Sequence, residues 1–375
     1  MRYGTGSVRT YATKSGTRYS VRYYDQNGNQ HEKRGFTTKT EANKYLRTQL
    51  KARDDGTLVT ARQLTVAALL ERWMAGRRVA LSTLSGDERR IRLHVLPALG
   101  SYPVAKITPE LLAGFYRSLQ QGLSANSVRK IHALISSAFT WAMSARLVSA
   151  NPAKHPLSSP PSQREVSQEQ RQMSVWDAQI VSEFIDWCPS EDDGAYTHRQ
   201  LKAAWMLALL GGLRRSEICG LRWSDIDIDR KTVTINKSIT EVHTSTRGKV
   251  LVESSPKSGK SRTIVVSATV FTQLDRLPLP HSGRIFDISP ESLTQSWTRV
   301  CRKFAKETGA PALTLHELRH THASLLLRAG VHPKIVQERL GHATITITMD
   351  TYSHLMPSAQ AEAAASLDSL LADGS

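Results

Sequence analysis

Three short clusters in the second half of the chain carry side chains able to handle a phosphate. Gly211-Gly212-Leu213-Arg214-Arg215-Ser216-Glu217 places arginine where an apolar helix ends and the next begins, and a guanidinium at a helix start can grip a phosphate with its planar fork. Glu217, one helical turn beyond Arg214, is placed to orient a neighbouring side chain. Thr314-Leu315-His316-Glu317-Leu318-Arg319-His320 has capping-box spacing between Thr314 and Glu317, which marks a helix start and puts His316 and Arg319 on one face. That pair, beside the positive end of a helix, suits the non-bridging oxygens of a phosphodiester. Leu340-Gly341-His342 and, ten residues after His342, Tyr352 add an imidazole and a phenol. Taken singly, each has a plain structural reading as a surface arginine, a capping histidine or a packed tyrosine. Their combination is what points to chemistry.

The second cluster also satisfies H-E-x-x-H, with His316 and His320 as zinc ligands, Glu317 as base, and Glu338 or His342 as a third ligand. A zinc protease leaves the rest of the chain unexplained. The formal net charge is +17, from 50 Lys and Arg against 33 Asp and Glu, a long-range field that attracts polyanions and makes nucleic acid the first partner to consider. A basic membrane-surface protein is the competing class, but the sequence has neither an apolar run of about 18 residues nor a basic amphipathic anchor. Cys188, Cys219 and Cys301 are odd in number, far apart and set in apolar segments, so they read as buried free thiols. The first residues lack the apolar run of a signal peptide, and a reducing cytoplasm fits the thiols.

The elements that position these residues are readable from periodicity. Between Ser7 and Phe36, three stretches rich in β-branched and aromatic residues are separated by Lys14-Ser15-Gly16 and Asn27-Gly28-Asn29, which predicts a small antiparallel sheet. Tyr19, Val21 and Tyr23 alternate with Arg18, Ser20 and Arg22, giving one packing face and one basic face. Ala42, Tyr45, Leu46 and Gln49 mark the helix that packs on it, about residues 39–53. The concentration of Arg9, Arg18, Arg22, Lys33 and Arg34 on this sheet is either a solvated face or a DNA-binding one, and the net charge favours DNA.

A second unit is expected to be all helical, with helices at 65–80, 87–96, 108–121 and 124–146. Pro109 sits at a first helical position, and Val128, Ile131, Ile135, Ala138, Phe139 and Ala142 form one stripe. Arg129 and Lys130, off that stripe near the helix start, are candidates for approach to DNA. Proline, serine and charge replace the periodicity over 151–172, read as a linker. The third unit, 173–375, mixes long helices with a strand-rich stretch from Thr232 to Val266. The expected fold class is therefore multidomain and mainly α: residues 1–60 a sheet-plus-helix DNA-binding domain, 61–150 a helical DNA-binding domain, 151–172 a linker, and 173–375 an α+β catalytic domain with a helical tail.

Gly212-Leu213-Arg214, His316-x-x-Arg319, Gly341-His342 and Tyr352, in this order and at these intervals, resemble the signature of the tyrosine recombinases, the phage-integrase family. The resemblance spans the third unit. It implies that Tyr352 attacks DNA phosphorus to give a 3′-phosphotyrosyl linkage and a free 5′-hydroxyl, that Arg214, Arg319 and His316 stabilise the charge on the phosphate oxygens, and that His342 bonds the phosphate or positions its neighbours. A phenol with a reference pKa near 10 must lose its proton during attack, and His316 is the candidate base. Lys257 resembles the family's mobile hairpin lysine and would protonate the departing oxygen, with Lys260 and Arg262 as alternatives; Glu217 matches the acidic position. Exchange of one phosphoester for another needs neither metal nor ATP, so no cofactor is expected.

By the same resemblance, the second unit is the core-site-binding domain and the amino-terminal sheet the arm-site-binding domain of lambda-like integrases. The implied partners are double-stranded DNA with core and arm sites, a homotetramer on DNA, a DNA-bending host factor and an excision factor, in the cytoplasm of a bacterial host and at no membrane. The tail, with Ala361, Ala364, Leu367, Leu370 and Leu371 at helical spacing, caps its own domain or docks on a neighbouring protomer. Within the fold, a chromosome-dimer resolvase or a transposon recombinase is the alternative to an integrase, and a type IB topoisomerase shares the chemistry without a defined site. A non-catalytic DNA-binding regulator is the alternative outside it.

Overall fold

The computed structural model describes residues 6–13, 16–24, 30–54, 64–169, 173–188, 196–244, 248–256, 259–277, 282–352 and 371. Contacts divide the chain into two compact units, Met1–Gln170 and Arg171–Ser375. Lys257 and the tail, apart from an exposed Leu371, lie outside the described residues.

The first unit begins with an antiparallel sheet in the order β1 (Ser7–Thr13), β2 (Gly16–Tyr24), β3 (Gln30–Phe36). Strand alternation sends Val21, Tyr23 and Phe36 to one face, where Ala42, Tyr45, Leu46 and Leu50 of α1 (Lys39–Asp54) close a small core. Five helices follow. They are α2 (Val66–Ala75), α3 (Leu81–Arg90), α4 (Leu96–Leu99), α5 (Pro109–Gln120) and α6 (Ala125–Ser144). Thr65, Thr108 and Ser124 cap α2, α5 and α6 with their hydroxyls, and the predicted stripe of α6 is buried, from Val128 to Ala142. The helix expected over 87–96 instead begins at Leu81 and passes through a π-turn at Ile91–Val95, which carries Ile91 and Val95 into the core.

The stretch 151–172 was expected to be a linker, and over 151–169 it is not one. Asn151 donates to Ser136 O at 2.8 Å and accepts from Ala153 N, Ser158 is buried, and α7 (Gln163–Glu169) returns to the helical core. Glu169 accepts from Ala125 N at 2.5 Å, so a carboxylate of this chain already occupies the positive end of α6. Local polarity read as looseness because the side chains that tie this segment down are themselves polar.

In the second unit, α8 (Ala178–Trp187), α9 (Tyr196–Gly211), α10 (Arg215–Gly220), α11 (Ala268–Asp275) and α12 (Pro290–Thr308) share one apolar core with α13 (Leu315–Arg328). The centre is aromatic: Trp176 lies 5.2 Å from Phe184, 5.9 Å from Trp297 and 5.3 Å from Phe304 between ring centroids. The indoles of Trp176 and Trp297 donate to Pro311 O and Leu313 O, which fixes the segment entering α13. The strand-rich stretch resolves into a sheet β4 (Ile226–Asp227), β5 (Thr232–Ile235), β8 (Arg262–Val265) and a hairpin β6 (Ser238–Thr244), β7 (Gly248–Ser254). A smaller cluster, Ala323, Leu327, Val336, Leu340 and Tyr352, joins α13 to α14 (Pro333–Leu340) and α15 (Ile345–Tyr352). Cys188, Cys219 and Cys301 are free and buried, and burial pushes the Cys188 and Cys219 thiols up to about 11 and about 12. Among the described residues no helix is long and apolar enough to cross a membrane.

Candidate active site

The site is built where α9 stops. Gly212 adopts a left-handed φ of +68°, and an added Cβ would lie 2.6 Å from the His322 ring, so only glycine fits the turn. The turn aims Gly212 O at Arg319, whose Nη1 donates to it at 2.6 Å while Nη2 donates to Leu340 O at 2.5 Å. Arg319 is 2 % exposed and thus fixed from two directions. Burial, then the charge of Arg214, pulls its guanidinium down to about 9, which leaves it cationic at neutral pH.

Arg214 begins α10, where its backbone N and its Nη1 both donate to Glu217, at 2.9 and 2.7 Å. The Glu217 carboxylate is 1 % exposed and is also held by Arg262 through Nη2 at 2.7 Å and Nη1 at 3.0 Å. Burial alone would raise its pKa; the bonds and charge of Arg262 and then of Arg214 more than offset this and bring it to about 2. Three guanidiniums therefore surround one permanent carboxylate, leaving excess positive charge for a phosphate to neutralise. Arg262 Nε donates to Arg339 O, so this arginine, an alternative for the mobile acid at the sequence level, is instead a buried strut.

Thr314 and Glu317 form the expected reciprocal cap at the start of α13, which presents His316 to a cleft lined also by Arg214, Arg215, Ser216 and Thr314. His316 is exposed, yet its neighbourhood is crowded: desolvation and the charges of Arg319 and Arg214 lower its pKa. His342 follows the left-handed Gly341, bonds Thr348 through Nδ1 at 2.9 Å, and is lowered to about 4 by burial and then by Arg319 and Arg214. Tyr352 is 1 % exposed, and burial raises its phenol above the ordinary range while Arg319 acts to lower it.

Sequence reasoning did not assign His320 a role in phosphate chemistry. Its Nδ1 is hydrogen-bonded to the Tyr352 hydroxyl, its ring meets that of His316 edge to face at 4.9 Å between centroids, and burial, followed by His316 and Arg319, lowers it to about 4. The signal is present in the sequence, since His316 and His320 share a helix face, the same spacing that H-E-x-x-H uses. That alternative lacks its third ligand: among the described residues no three His, Cys, Asp or Glu side chains converge in metal-binding geometry.

The sequence candidates for DNA contact divide. Strand register puts Arg9, Arg18 and Arg22 on the sheet face away from α1, with Arg22 pairing Glu32. Lys33, expected to join them, pairs with Val21 and lies on the other face, its ammonium 4.3 Å from the Tyr45 ring centroid. The bulge near Ser20 shifts the alternation of β3 and is not visible in composition. Arg129 is half-buried and donates to Pro161 O at 2.6 Å, so it serves the segment misread as a linker; Lys130 is exposed.

The profile described as "Phage integrase family" matches residues 175–358, and that described as "Phage integrase, N-terminal SAM-like domain" matches residues 65–120. The ICEBs1 integrase of Bacillus subtilis (strain 168) is 26% identical over 296 residues, covering 75% of this chain and 76% of the relative. The Tn1549 transposon integrase in complex with transposon right end DNA superposes with a TM-score of 0.64 at 21% identity, covering 82% of this chain and 100% of the other. A lambda integrase tetramer bound to a Holliday junction gives a TM-score of 0.54 at 18% identity over 92% of this chain and 94% of the other. Both matched profiles belong to integrases, and the first, over residues 175–358, contains every candidate catalytic residue from Arg214 to Tyr352. The chain belongs to the phage integrase family of tyrosine site-specific recombinases.

Proposed function

We propose that this recombinase integrates a mobile element, and with a helper excises it, by holding one DNA phosphate between Arg214, Arg319, His316 and His342 while Tyr352 attacks it. The observation that supports this most strongly is the convergence of Arg214, Arg262 and Arg319 around the single buried carboxylate of Glu217. A phosphodiester brought there finds fixed cations that need not reorganise as charge spreads over its oxygens in the transition state. Attack forms the bond between Tyr352 Oη and phosphorus and breaks the bond from phosphorus to the 5′-oxygen, which leaves as a hydroxyl after protonation by Lys257. The 3′-phosphotyrosine retains the energy of the ester, so a new 5′-hydroxyl reverses the step without ATP or metal.

The domains are read as an arm-site module at 1–60, a core-site module at 61–150 with its packed extension to about 170, and the catalytic domain. Two DNA-binding modules on one chain raise the effective concentration of the second site, so a protomer can bridge distant segments. The lambda integrase neighbour assembled as a tetramer on a Holliday junction supports the same assembly here, on attachment DNA in a bacterial cytoplasm. Short DNA resists the curvature such bridging needs, which gives a bending host factor its place.

The test is covalent trapping on duplexes recovered by binding selection from random-sequence DNA, with a strand nick to release the departing end, in EDTA. Wild type is expected to form a protein–DNA adduct, and digestion to leave the nucleotide on Tyr352 and locate the scissile phosphate. Tyr352→Phe is expected to bind DNA normally and form none; an adduct with that variant would refute the assignment.

A further inference from the structure

We infer that His320 takes the proton of the Tyr352 hydroxyl during strand cleavage and returns it during rejoining. This rests on the recombinase reading above and adds a residue to it.

Among the described residues, His320 is the group hydrogen-bonded to the Tyr352 hydroxyl. The position is not incidental. Arg319 is clamped by the carbonyls of Gly212 and Leu340, which fixes the backbone of the next residue on the helix, and Tyr352 is packed among Ala323, Leu327, Val336 and Leu340. With the phenol 1 % exposed, bulk water is not at hand to accept its proton, so the protein must supply the acceptor.

The other groups facing His320 are committed or unsuited. On its own helix, Glu317 accepts from the Thr314 backbone N–H in the cap, Arg319 is a cation, and His316 turns its exposed ring to the cleft. From the turn after α14, His342 has its Nδ1 hydrogen-bonded with the Thr348 hydroxyl; from α10, Glu217 is held by Arg214 and Arg262. His320 is lowered to about 4, so at neutral pH its ring is uncharged and able to accept.

The step balances as follows. The Tyr352 O–H bond breaks as Oη bonds to phosphorus, the proton moves to His320 Nδ1 to give an imidazolium, and the bond from phosphorus to the 5′-oxygen breaks with protonation from the general acid. Rejoining runs these transfers backwards. His316 is thereby left to bind the phosphate rather than to deprotonate the phenol.

The test uses the full chain and the duplex whose scissile phosphate the trapping experiment locates. His320→Asn keeps an acceptor near the place of Nδ1 but cannot take a proton. Its single-turnover cleavage rate at pH 7 is expected to fall about 10²- to 10⁴-fold, the range of general-base catalysis, with DNA affinity unchanged. Wild-type rate is expected to stay level from pH 6 to 9, whereas the variant rises about tenfold per pH unit because hydroxide must do the work. A 5′-bridging sulfur, a leaving group that needs no proton, is expected to restore Lys257→Ala and not His320→Asn. A variant with the wild-type profile merely scaled down, or one restored by sulfur, would overturn the proposal. If His320→Asn does not fold, 15N NMR of the wild-type imidazole decides: a proton on Nε2 with Nδ1 accepting, perturbed by Tyr352→Phe, supports the assignment, and a proton on Nδ1 overturns it. Absence of any wild-type adduct would instead count against the recombinase reading itself.

Discussion

Arg262 and Glu217 form a two-point ion pair across 45 positions of sequence, with Nη2 to Oε2 at 2.7 Å and Nη1 to Oε1 at 3.0 Å. The same carboxylate fixes Arg214, so Arg262 bears on the proposed phosphate site through Glu217. Removing Arg262 strips two charge-assisted hydrogen bonds from the buried carboxylate and leaves Arg214 as its remaining partner, which costs about 1.5–3 kcal/mol. Arg262→Ala is expected to lower unfolding free energy by that order in urea titration and to reduce adduct formation by releasing Arg214. Arg262→Lys, which keeps the charge but loses the fork, should recover part of the stability and little of the activity.

The catalytic unit should be acid-labile in two stages. His322, His320 and His342 are lowered by burial, and then by neighbouring cations and histidines, to about 3, about 4 and about 4. A folded-state histidine pKa below the ordinary 6.5 means that the unfolded chain binds more protons once pH drops under 6.5, so stability is full above that value and declines beneath it. Glu217, also depressed, adds a second loss as pH falls from 4.5 towards about 2. Urea midpoints measured at intervals from pH 7.5 to 4 should fall continuously; a midpoint constant from 7.5 to 5 would contradict the buried neutral histidines.

Gly212 and Gly309 separate backbone strain from crowding. Both are left-handed, at φ +68° and +78°, but a Cβ on Gly309 meets nothing within 4 Å whereas one on Gly212 strikes His322 and Leu340. Gly309→Ala should cost about 1–2 kcal/mol, the left-handed penalty of an L-residue. Gly212→Ala should cost about 1–3 kcal/mol more from overpacking, and should also depress cleavage because Gly212 O anchors Arg319. Thermal unfolding of the two variants in parallel checks the difference.

The local geometry of the candidate clusters was legible in the sequence: Arg214 with Glu217, and Thr314 with Glu317, sit one helical turn apart, and their caps can be read from spacing. What spacing could not show is which distant partners each side chain would choose. Arg262 meets Glu217 only because β8 lies beside the start of α10, and His320 meets Tyr352 only through the packing of α13 on α15. The error at 151–169 has the same root, since the bonds of Asn151, Arg129 and Glu169 join polar residues that composition assigns to loops. Register shows the limit most sharply. One bulge moves Lys33 to the face opposite Arg18, and no periodicity argument sees a bulge.

That displacement makes the amino-terminal sheet testable residue by residue. Arg9, Arg18 and Arg22 occupy the face opposite α1, while Lys33 lies over Tyr45 and within 5.5 Å of the Phe36 ring centroid. If the open face grips DNA phosphates, each arginine lost from it should weaken binding across sequences and lessen the slope of log affinity against log salt by about one. Arg18→Ala should therefore flatten that slope, measured by fluorescence anisotropy on a selected duplex. Lys33→Ala should leave the slope unchanged and instead lower the stability of the sheet by about 0.5–1 kcal/mol, the scale of an exposed cation–π contact. The reverse pattern, with Lys33 controlling the salt slope and Arg18 silent, would place the DNA on the edge beside α1 and not on the open face.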